Sequence, residues 1–120
     1  MFQYRAIPFN VGIGTTGPGG TLDVNGTIYQ RGSVLHADYV FEPEYKLESI
    51  EEHSSYMWQS KHLKAVPKAQ KDESGQDMVE YGVRNRGILE ELEKAHVYIQ
   101  QLNERIKVLE IELTKLEARK

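Results

Sequence analysis

The stretch ILEELEKAHVYIQQLNERIKVLEIELTKL, residues 88–116, decides the architecture of this chain. Its apolar residues are spaced alternately by four and three positions, which is a heptad repeat held for about four heptads. We call these residues the seam: Leu92, Ile99, Ile106 and Leu113 at heptad position a, and Ile88, Ala95, Leu102, Leu109 and Leu116 at position d. An apolar stripe this narrow is typical of a coiled coil, so we expect a helix about 50 Å long that binds partner helices in parallel.

Charged residues at positions e and g, beside the seam, can form ion pairs between parallel copies of the helix. In a parallel neighbour, Arg105 at position g would meet Glu110 at position e, and Glu91 would meet His96. Such exposed pairs are worth only tenths of a kcal/mol, about 0.2–0.5 each. Ile and Leu are mixed at position a and residues 88–116 contain no asparagine at an a or d position, so this stretch alone does not fix the number of helices. The alternative is a helix that lies against another domain.

Residues 1–34 have a different character, because most of the ten glycines lie there. Small or polar residues alternate with the apolar residues Val11, Ile13, Leu22, Val24 and Ile28, which predicts extended chain with one face buried. The run Gly17-Pro18-Gly19-Gly20 predicts a turn. Asn25-Gly26 could close a hairpin. The period of two also continues through Gly26, and we favour one long strand in which this glycine allows a close backbone approach.

Residues 35–80 read as a small mixed α/β region. Tyr39-Val40-Phe41 predicts a short strand, which Pro43 ends. Ser49 followed by Glu52 has the spacing of a capping box, so we expect a helix from there to about Lys61.

Two further expectations concern the same region. Tyr56, Met57, Trp58 and Leu63 form an aromatic and apolar cluster, which we expect to pack on Tyr39 and Phe41. The polar run at residues 68–77 is expected to be loop.

Composition excludes several classes of function. A net charge of −3 with interspersed basic and acidic residues does not suggest nucleic-acid binding. The absence of cysteine rules out disulfides and cysteine-based zinc sites. The histidines His36, His53, His62 and His96 share no metal-ligand spacing, so no metal and no cofactor is expected. No apolar run approaches the ~20 residues of a membrane span. The opening MFQYRAIPFN lacks the pattern of a signal peptide and reads as a cut into a longer chain.

The stretch Gly12-Ile13-Gly14-Thr15-Thr16-Gly17 matches the pattern G-x-G-x-x-G of dinucleotide-binding proteins. That motif requires a helix that opens at its end and points amide groups at a pyrophosphate. Here Pro18 and further strand-like sequence follow instead. We therefore interpret the match as a glycine-rich turn.

Three motifs together carry a family resemblance: VGIGTTGPGGTLDVNGTIY at residues 11–29, ADYVFEPEYKLESIEEH at 37–53 and KHLKAVPKA at 61–69. The chain from Val11 onward resembles the C-terminal region of phage tail fibres and related bacterial adhesin-like proteins, and is similar to the intramolecular chaperone domain of tail spikes and fibres. In that family the third motif reads His-Leu-Pro-Gly-Ile-Pro, and here Lys64 and Ala65 replace its first proline and its glycine. The resemblance implies that the chain trimerises and guides the folding of a β-rich shaft upstream.

Many members of that family cut themselves, using a serine of a Ser-Asp…Lys pattern with the lysine as base. Carried over residue by residue, Asp38 matches the aspartate, Ala37 occupies the serine position, and Lys46 is the nearest lysine, although it lies further downstream than the pattern places it. Without a hydroxyl at position 37 the nucleophile is missing. Ser33 is the nearest alternative hydroxyl and has no motif support. We therefore interpret Ala37, Asp38 and Lys46 as a relict corner and the chain as not an enzyme.

The resulting expectation is an elongated α+β chain in three parts: a β-rich shaft end at 1–34, a small mixed chaperone-like domain at 35–80 and a coiled coil at 81–120. Its expected function is trimerisation and folding registration at the end of a phage tail fibre, or of a fibrous protein that is secreted or on a bacterial surface. Its partners would be two further copies and the upstream shaft of the same chain, with no nucleic acid and no membrane insertion. The alternatives are a self-cleaving intramolecular chaperone and a receptor-binding fibre tip, in which Tyr45, Tyr56 and Trp58 would contact a host glycan.

Overall fold

A computed structural model describes residues 9–119 of the chain. Residues 1–8 and Lys120 lie outside that range, and with them most of the opening stretch discussed above. The fold is α+β, with short strands and a long C-terminal helix. It divides into two compact units, the first ending at Arg31 and the second beginning at Gly32.

The first unit is built on two three-residue strands, β1 (Val11–Ile13) and β2 (Leu22–Val24). They pair in parallel, with Val11 opposite Leu22 and Ile13 opposite Val24. The connection between them contains the predicted turn at residues 17–20. A parallel pair of such short strands buries little, and Ile13 and Leu22 remain exposed.

The backbone of this unit requires a glycine at position 14. Its φ is 77°, and a Cβ at this position would lie 2.6 Å from the carbonyl oxygen of Asn25. Both readings of Asn25-Gly26 were wrong within this unit, because β2 ends at Val24 and no hairpin partner follows. Gly26 has a φ of 153° and no atom within 4 Å of its Cβ position, so within a single chain its backbone conformation is what favours glycine.

In the second unit, the strand predicted at Tyr39-Val40-Phe41 is wrong. Asp38–Phe41 is a 3-10 helix, in which Val40 N donates to the Ala37 carbonyl at 3.0 Å. The burial explains the difference: Ala37 and Val40, three residues apart, are both buried, whereas Phe41 is exposed. A spacing of three fits the 3-10 helix, and a strand would bury every second residue.

Helix α1 (Ile50–Ser60) begins where the capping box predicts. The Ser49 hydroxyl accepts from Glu52 N at 3.1 Å, and the Glu52 carboxylate accepts from Ser49 N at 3.1 Å. The helix ends at Lys61, which adopts the left-handed conformation with φ 59°. Both predicted ends of this helix are confirmed.

The loop predicted at residues 68–77 is instead largely a small antiparallel hairpin of β3 (Gln70–Lys71) and β4 (Asp77–Met78). The Asp72 carboxylate closes the turn, since it accepts from Ser74 N at 2.8 Å and from Gln76 N at 2.9 Å. The sequence does not predict this hairpin, because all of its strand residues are exposed and show no alternation of apolar and polar residues.

Helix α2 (Tyr81–Ala118) has 38 residues and carries the heptad repeat. Its first turn is capped by the Glu80 carboxylate, which accepts from Gly82 N at 3.1 Å and from Val83 N at 2.8 Å. Residues 37–66, which we call the docked segment, pack against the N-terminal half of this helix. Residues 99–118 of α2 have no buried side chain among them.

The predicted packing of the aromatic cluster on Tyr39 and Phe41 is wrong. Trp58 is 64% exposed and lies under the Lys61 ammonium, which is 5.1 Å from the ring centroid. Tyr39 packs on Tyr45, with ring centroids 5.8 Å apart. The buried side chains of this unit are few, the apolar Ala37, Val40 and Tyr98 and the charged Glu91 and Lys94, and none of them belongs to α1.

Candidate functional site

The seam of α2 is open to solvent along its whole length. Its eight large side chains are between 45% and 64% exposed, and Ala95 is exposed as well. The described part of the chain leaves the apolar side chains at every a and d position of the seam exposed, and together they make a continuous surface for association with other helices.

The docked segment occupies a different side of the same helix. The buried residues of α2 from its second turn onward are Gly87 and Lys94 at position c, and Glu91 and Tyr98 at position g. The c and g positions lie about a third of a turn from the centre of the a/d stripe. The chain therefore covers one flank of α2 and leaves the seam free.

A group of ionisable side chains, which we call the charge cluster, joins the docked segment to this flank. Its members are Glu48, His53, Glu90, Glu91 and Lys94. Lys94 is its centre, with only 2% of its side chain exposed. Its ammonium lies 3.2 Å from Glu48, 3.3 Å from Glu91 and 3.8 Å from Glu90.

The electrostatics follow from this geometry. Burial disfavours ionisation of Glu48, but hydrogen bonds from His53 and Lys94 outweigh it and lower the Glu48 pKa to about 2. Burial likewise disfavours the Lys94 ammonium, yet the hydrogen bond to Glu48 and the charge of Glu91 raise its pKa above the ordinary value. Glu48 and Lys94 are therefore both charged across the whole neutral range.

His53 of α1 completes the cluster. Its Nδ1 lies 3.0 Å from Glu48 Oε1, and its Nε2 lies 3.8 Å from Glu91 Oε1. Its ring packs on Tyr98 with centroids 5.1 Å apart, and the Tyr98 hydroxyl donates to the Glu48 carbonyl at 2.8 Å. Burial and the Glu48 charge raise the pKa of Tyr98 to about 12, so this donor keeps its proton. These contacts hold α1 against the middle of α2.

A second group of contacts anchors the start of the docked segment. The Tyr39 hydroxyl donates to Glu90 Oε1 and accepts from Arg86 Nη1 at 3.2 Å. Burial, together with Glu90, raises the pKa of Tyr39. The Tyr45 hydroxyl lies 3.4 Å from Glu90 Oε2. Two tyrosines thus converge on one carboxylate of α2.

The end of the docked segment contacts α2 through its backbone. Ala65 N donates to Glu91 Oε2 at 2.8 Å. A Cβ at Gly87 would lie 2.2 Å from the Ala65 carbonyl oxygen and 3.1 Å from Val66 Cα. Glycine is therefore required here, since any side chain would push the segment off the helix. Glu91 is also buried in its own chain, so its carboxylate is not accessible for the predicted pair with His96 of a neighbour.

The structure places the three residues of the relict corner in different surroundings. Ala37 is fully buried at the start of the 3-10 helix. Asp38 lies beside Glu93 of α2. Burial of Glu93 and the negative charge of Asp38 both raise the pKa of Glu93. The Lys46 and Ser33 side chains are exposed. The structure gives Asp38 a carboxylate neighbour and leaves Lys46 in solvent.

The other candidate residues have ordinary surroundings. Of the aromatics considered for glycan contact, Trp58 is exposed, Tyr45 is half-buried beside Tyr39, and Tyr56 packs against His62. The G-x-G-x-x-G match lies on β1 and the loop after it, without a following helix. Across residues 9–119, no three histidine, aspartate or glutamate side chains are placed to hold a metal ion.

Sequence reasoning found the seam and missed the charge cluster. The repeat gives Glu90 and Lys94 no role, it pairs Glu91 with His96 of a neighbour, and Glu48 and His53 lie about 40 residues earlier in the chain. One usable signal was Gly87, a glycine inside a strong helical pattern, which indicates close packing.

Among the described residues, no helix is long and apolar enough to cross a membrane. Comparison with known proteins identifies no relative, since no family model, no curated protein and no solved structure matches the chain.

Proposed function

We propose that this chain is a structural module that assembles through α2 into a parallel trimer and sets three copies of a β-rich shaft in register. The setting would be the C-terminal end of a phage tail fibre or of a fibrous protein that is secreted or on a bacterial surface. The trimer and this setting rest on the sequence resemblance. The observation that carries the assembly is the open seam beside an occupied flank of the same helix.

The energetics favour association of α2. Burying a large aliphatic side chain is worth about 1.5–3 kcal/mol, and roughly half of that remains available where half the side chain is already shielded. Over the eight large seam residues this amounts to roughly 8 kcal/mol per chain before the cost of association. Among the described residues, the part of α2 beyond Tyr98 has no buried side chain, and its ion pair with the docked segment, between Arg105 and Glu51 at 4.0 Å, is exposed. This part of the helix therefore gains little support from the docked segment, and association through the seam would stabilise it.

The position of the docked segment supports the same function. A segment that covered the seam would compete with assembly. This one binds the c and g flank through the charge cluster, so each copy can fold its own docked segment and still present its seam. Three such copies would place a helical bundle at the centre and the docked segments outside it.

The registration role follows from folding physics. The pair β1 and β2 has three residues a strand, which is too little for independent stability. Shaft strands that pair between chains depend on non-local contacts, which form slowly and expose edges that aggregate. A helical bundle relies on local contacts and forms first, so it would align the chains before the strands pair.

Two aspartates in the seam test this function. Ile99→Asp with Ile106→Asp would place a charge in two central layers, and a matched control, Gln100→Asp with Lys107→Asp, changes two outward b positions of the same turns. We expect sedimentation equilibrium to show a trimer for the wild type and the control, and a monomer for the seam variant. A seam variant that keeps the wild-type mass would contradict the proposal.

A further inference from the structure

The structure extends the seam by one heptad toward the N-terminus. Helix α2 begins at Tyr81 and continues unbroken to Ile88, the first seam residue recognised from the repeat. In the same frame Tyr81 takes position d and Asn85 takes position a. Both side chains are exposed, as those of the seam are, and Tyr81 is 67% exposed. An asparagine therefore lies in line with Leu92 and Ile99.

We propose that the Asn85 side chains of the assembled copies meet inside the coiled coil and fix the parallel register of the chains. This inference rests on the proposed assembly through the seam. A side-chain amide has both donors and an acceptor, so copies at the same height can satisfy one another. An asparagine at a single a position is known to specify register at a cost in stability.

The remainder of the seam cannot set the register alone. Its a and d positions from Ile88 to Leu116 are all apolar, so a shift by one heptad replaces apolar contacts with apolar contacts. That shift would set Asn85 against Leu92 of the next chain. An antiparallel arrangement would set it against the region of Leu113. Both alternatives bury an amide without a partner, which is unfavourable.

The charge cluster prevents Glu91 from acting as a second determinant of the register. Glu91 is at position g, from which it could pair with His96 of a neighbour, but its carboxylate is buried and accepts from Lys94 and from Ala65 N. Among the flanking residues, Arg105 and Glu110 remain exposed and contribute little. Asn85 is thus the polar layer left to distinguish one alignment from another.

The experiment uses the full chain with a single cysteine reporter. The native sequence has no cysteine, so Leu116→Cys at the last d position cross-links under mild oxidation only where chains are parallel and in register. Asn85→Ile is compared with Asn103→Ile, the same substitution at position e and outside the a/d layers. Each variant is followed by native mass spectrometry, thermal melting and non-reducing gel electrophoresis.

We expect Asn85→Ile to raise the Tm while the cross-linked fraction falls by about twofold or more, because shifted and antiparallel alignments no longer bury an amide. Asn103→Ile should keep the parent cross-linked fraction. Assembly of Asn85→Ile with one mass and an unchanged cross-linked fraction would overturn the register role and leave the proposed assembly standing. A monomeric Leu116→Cys parent alongside a monomeric wild type would instead overturn the assembly itself.

Discussion

Lys94 and Glu48 form a partly buried ion pair across 46 residues of sequence, with Lys94 Nζ 3.2 Å from Glu48 Oε1 and 2% and 18% of the two side chains exposed. This pair joins the loop before α1 to the flank of the long helix. The charge cluster thus attaches the docked segment to α2 in addition to the buried apolar side chains of Ala37, Val40 and Tyr98. Breaking such a pair on one side is costly, since the remaining charge stays buried without a partner.

Replacing the central ammonium should release the docked segment. Lys94→Met keeps the length of the side chain but leaves Glu48 and Glu91 without their cation, and we expect a loss of about 3–5 kcal/mol. Hydrogen exchange should show the amides of α1 losing protection, while those of α2 beyond Tyr98 keep theirs. Lys71→Met, which removes the exposed pair with Asp77, is the control and should change little. Equal protection of α1 in both variants would show that the cluster does not hold the segment.

Acid should weaken the same attachment. The folded pKa of Glu48, about 2, lies below its ordinary value of 4.5. Glu48 therefore contributes its full stabilisation above that ordinary value and loses it as the pH falls from 4.5 toward 2. We expect the Tm, followed by the near-ultraviolet circular dichroism of the tyrosines, to decrease through this range. In Glu48→Gln the decrease should be shallower, and an identical pH profile in the two proteins would argue against a charged Glu48 at this contact.

A methyl group at Gly87 should be harmful although it favours the helix. Gly87→Ala gains about 1 kcal/mol of helix propensity. The new Cβ would lie 2.2 Å from the Ala65 carbonyl oxygen, and a backbone atom cannot move away without loosening the docked segment. We expect lower protection of residues 62–66 in hydrogen exchange, whereas Asn103→Ala, at an exposed site of the same helix, should only stabilise. A Gly87→Ala variant with native protection at residues 62–66 would refute the close contact.

We expect no self-cleavage at the relict corner when a hydroxyl is introduced at position 37. Ala37→Ser provides an oxygen at a fully buried position, while Lys46, the only base that the resemblance suggests, is exposed. We expect both the wild type and Ala37→Ser to keep their intact mass on prolonged incubation at neutral pH. Cleavage before residue 37 in Ala37→Ser that disappears on adding Lys46→Ala would reveal a working Ser–Lys pair. Cleavage of the wild type would point to Ser33.

The features predicted correctly from sequence depend on neighbours along the chain. The capping box needs only Ser49 and Glu52, three residues apart, and α2 follows from a repeat within one helix. Local patterns of this kind survive in almost any tertiary context. They located the seam residues on one exposed face of α2, although the association of that face is still a prediction.

The features that were missed depend on contacts distant in sequence. Tyr39 lies in a 3-10 helix because its hydroxyl reaches Glu90 and Val40 packs inward, and neither contact leaves a trace in a five-residue window. Nothing near Lys94 in the sequence distinguishes it from the other charged residues of α2, because its partner Glu48 lies 46 residues away. Tertiary contacts of this kind override local propensity.

The molar mass of the wild-type chain in solution tests the central claim most directly. Light scattering coupled to size-exclusion chromatography, over a range of loading concentrations, measures it without any substitution. Assembly through the seam predicts three times the chain mass of 13.8 kDa. A mass of 13.8 kDa at every concentration would contradict the account, because the open face of α2 would then have no partner among copies of this chain.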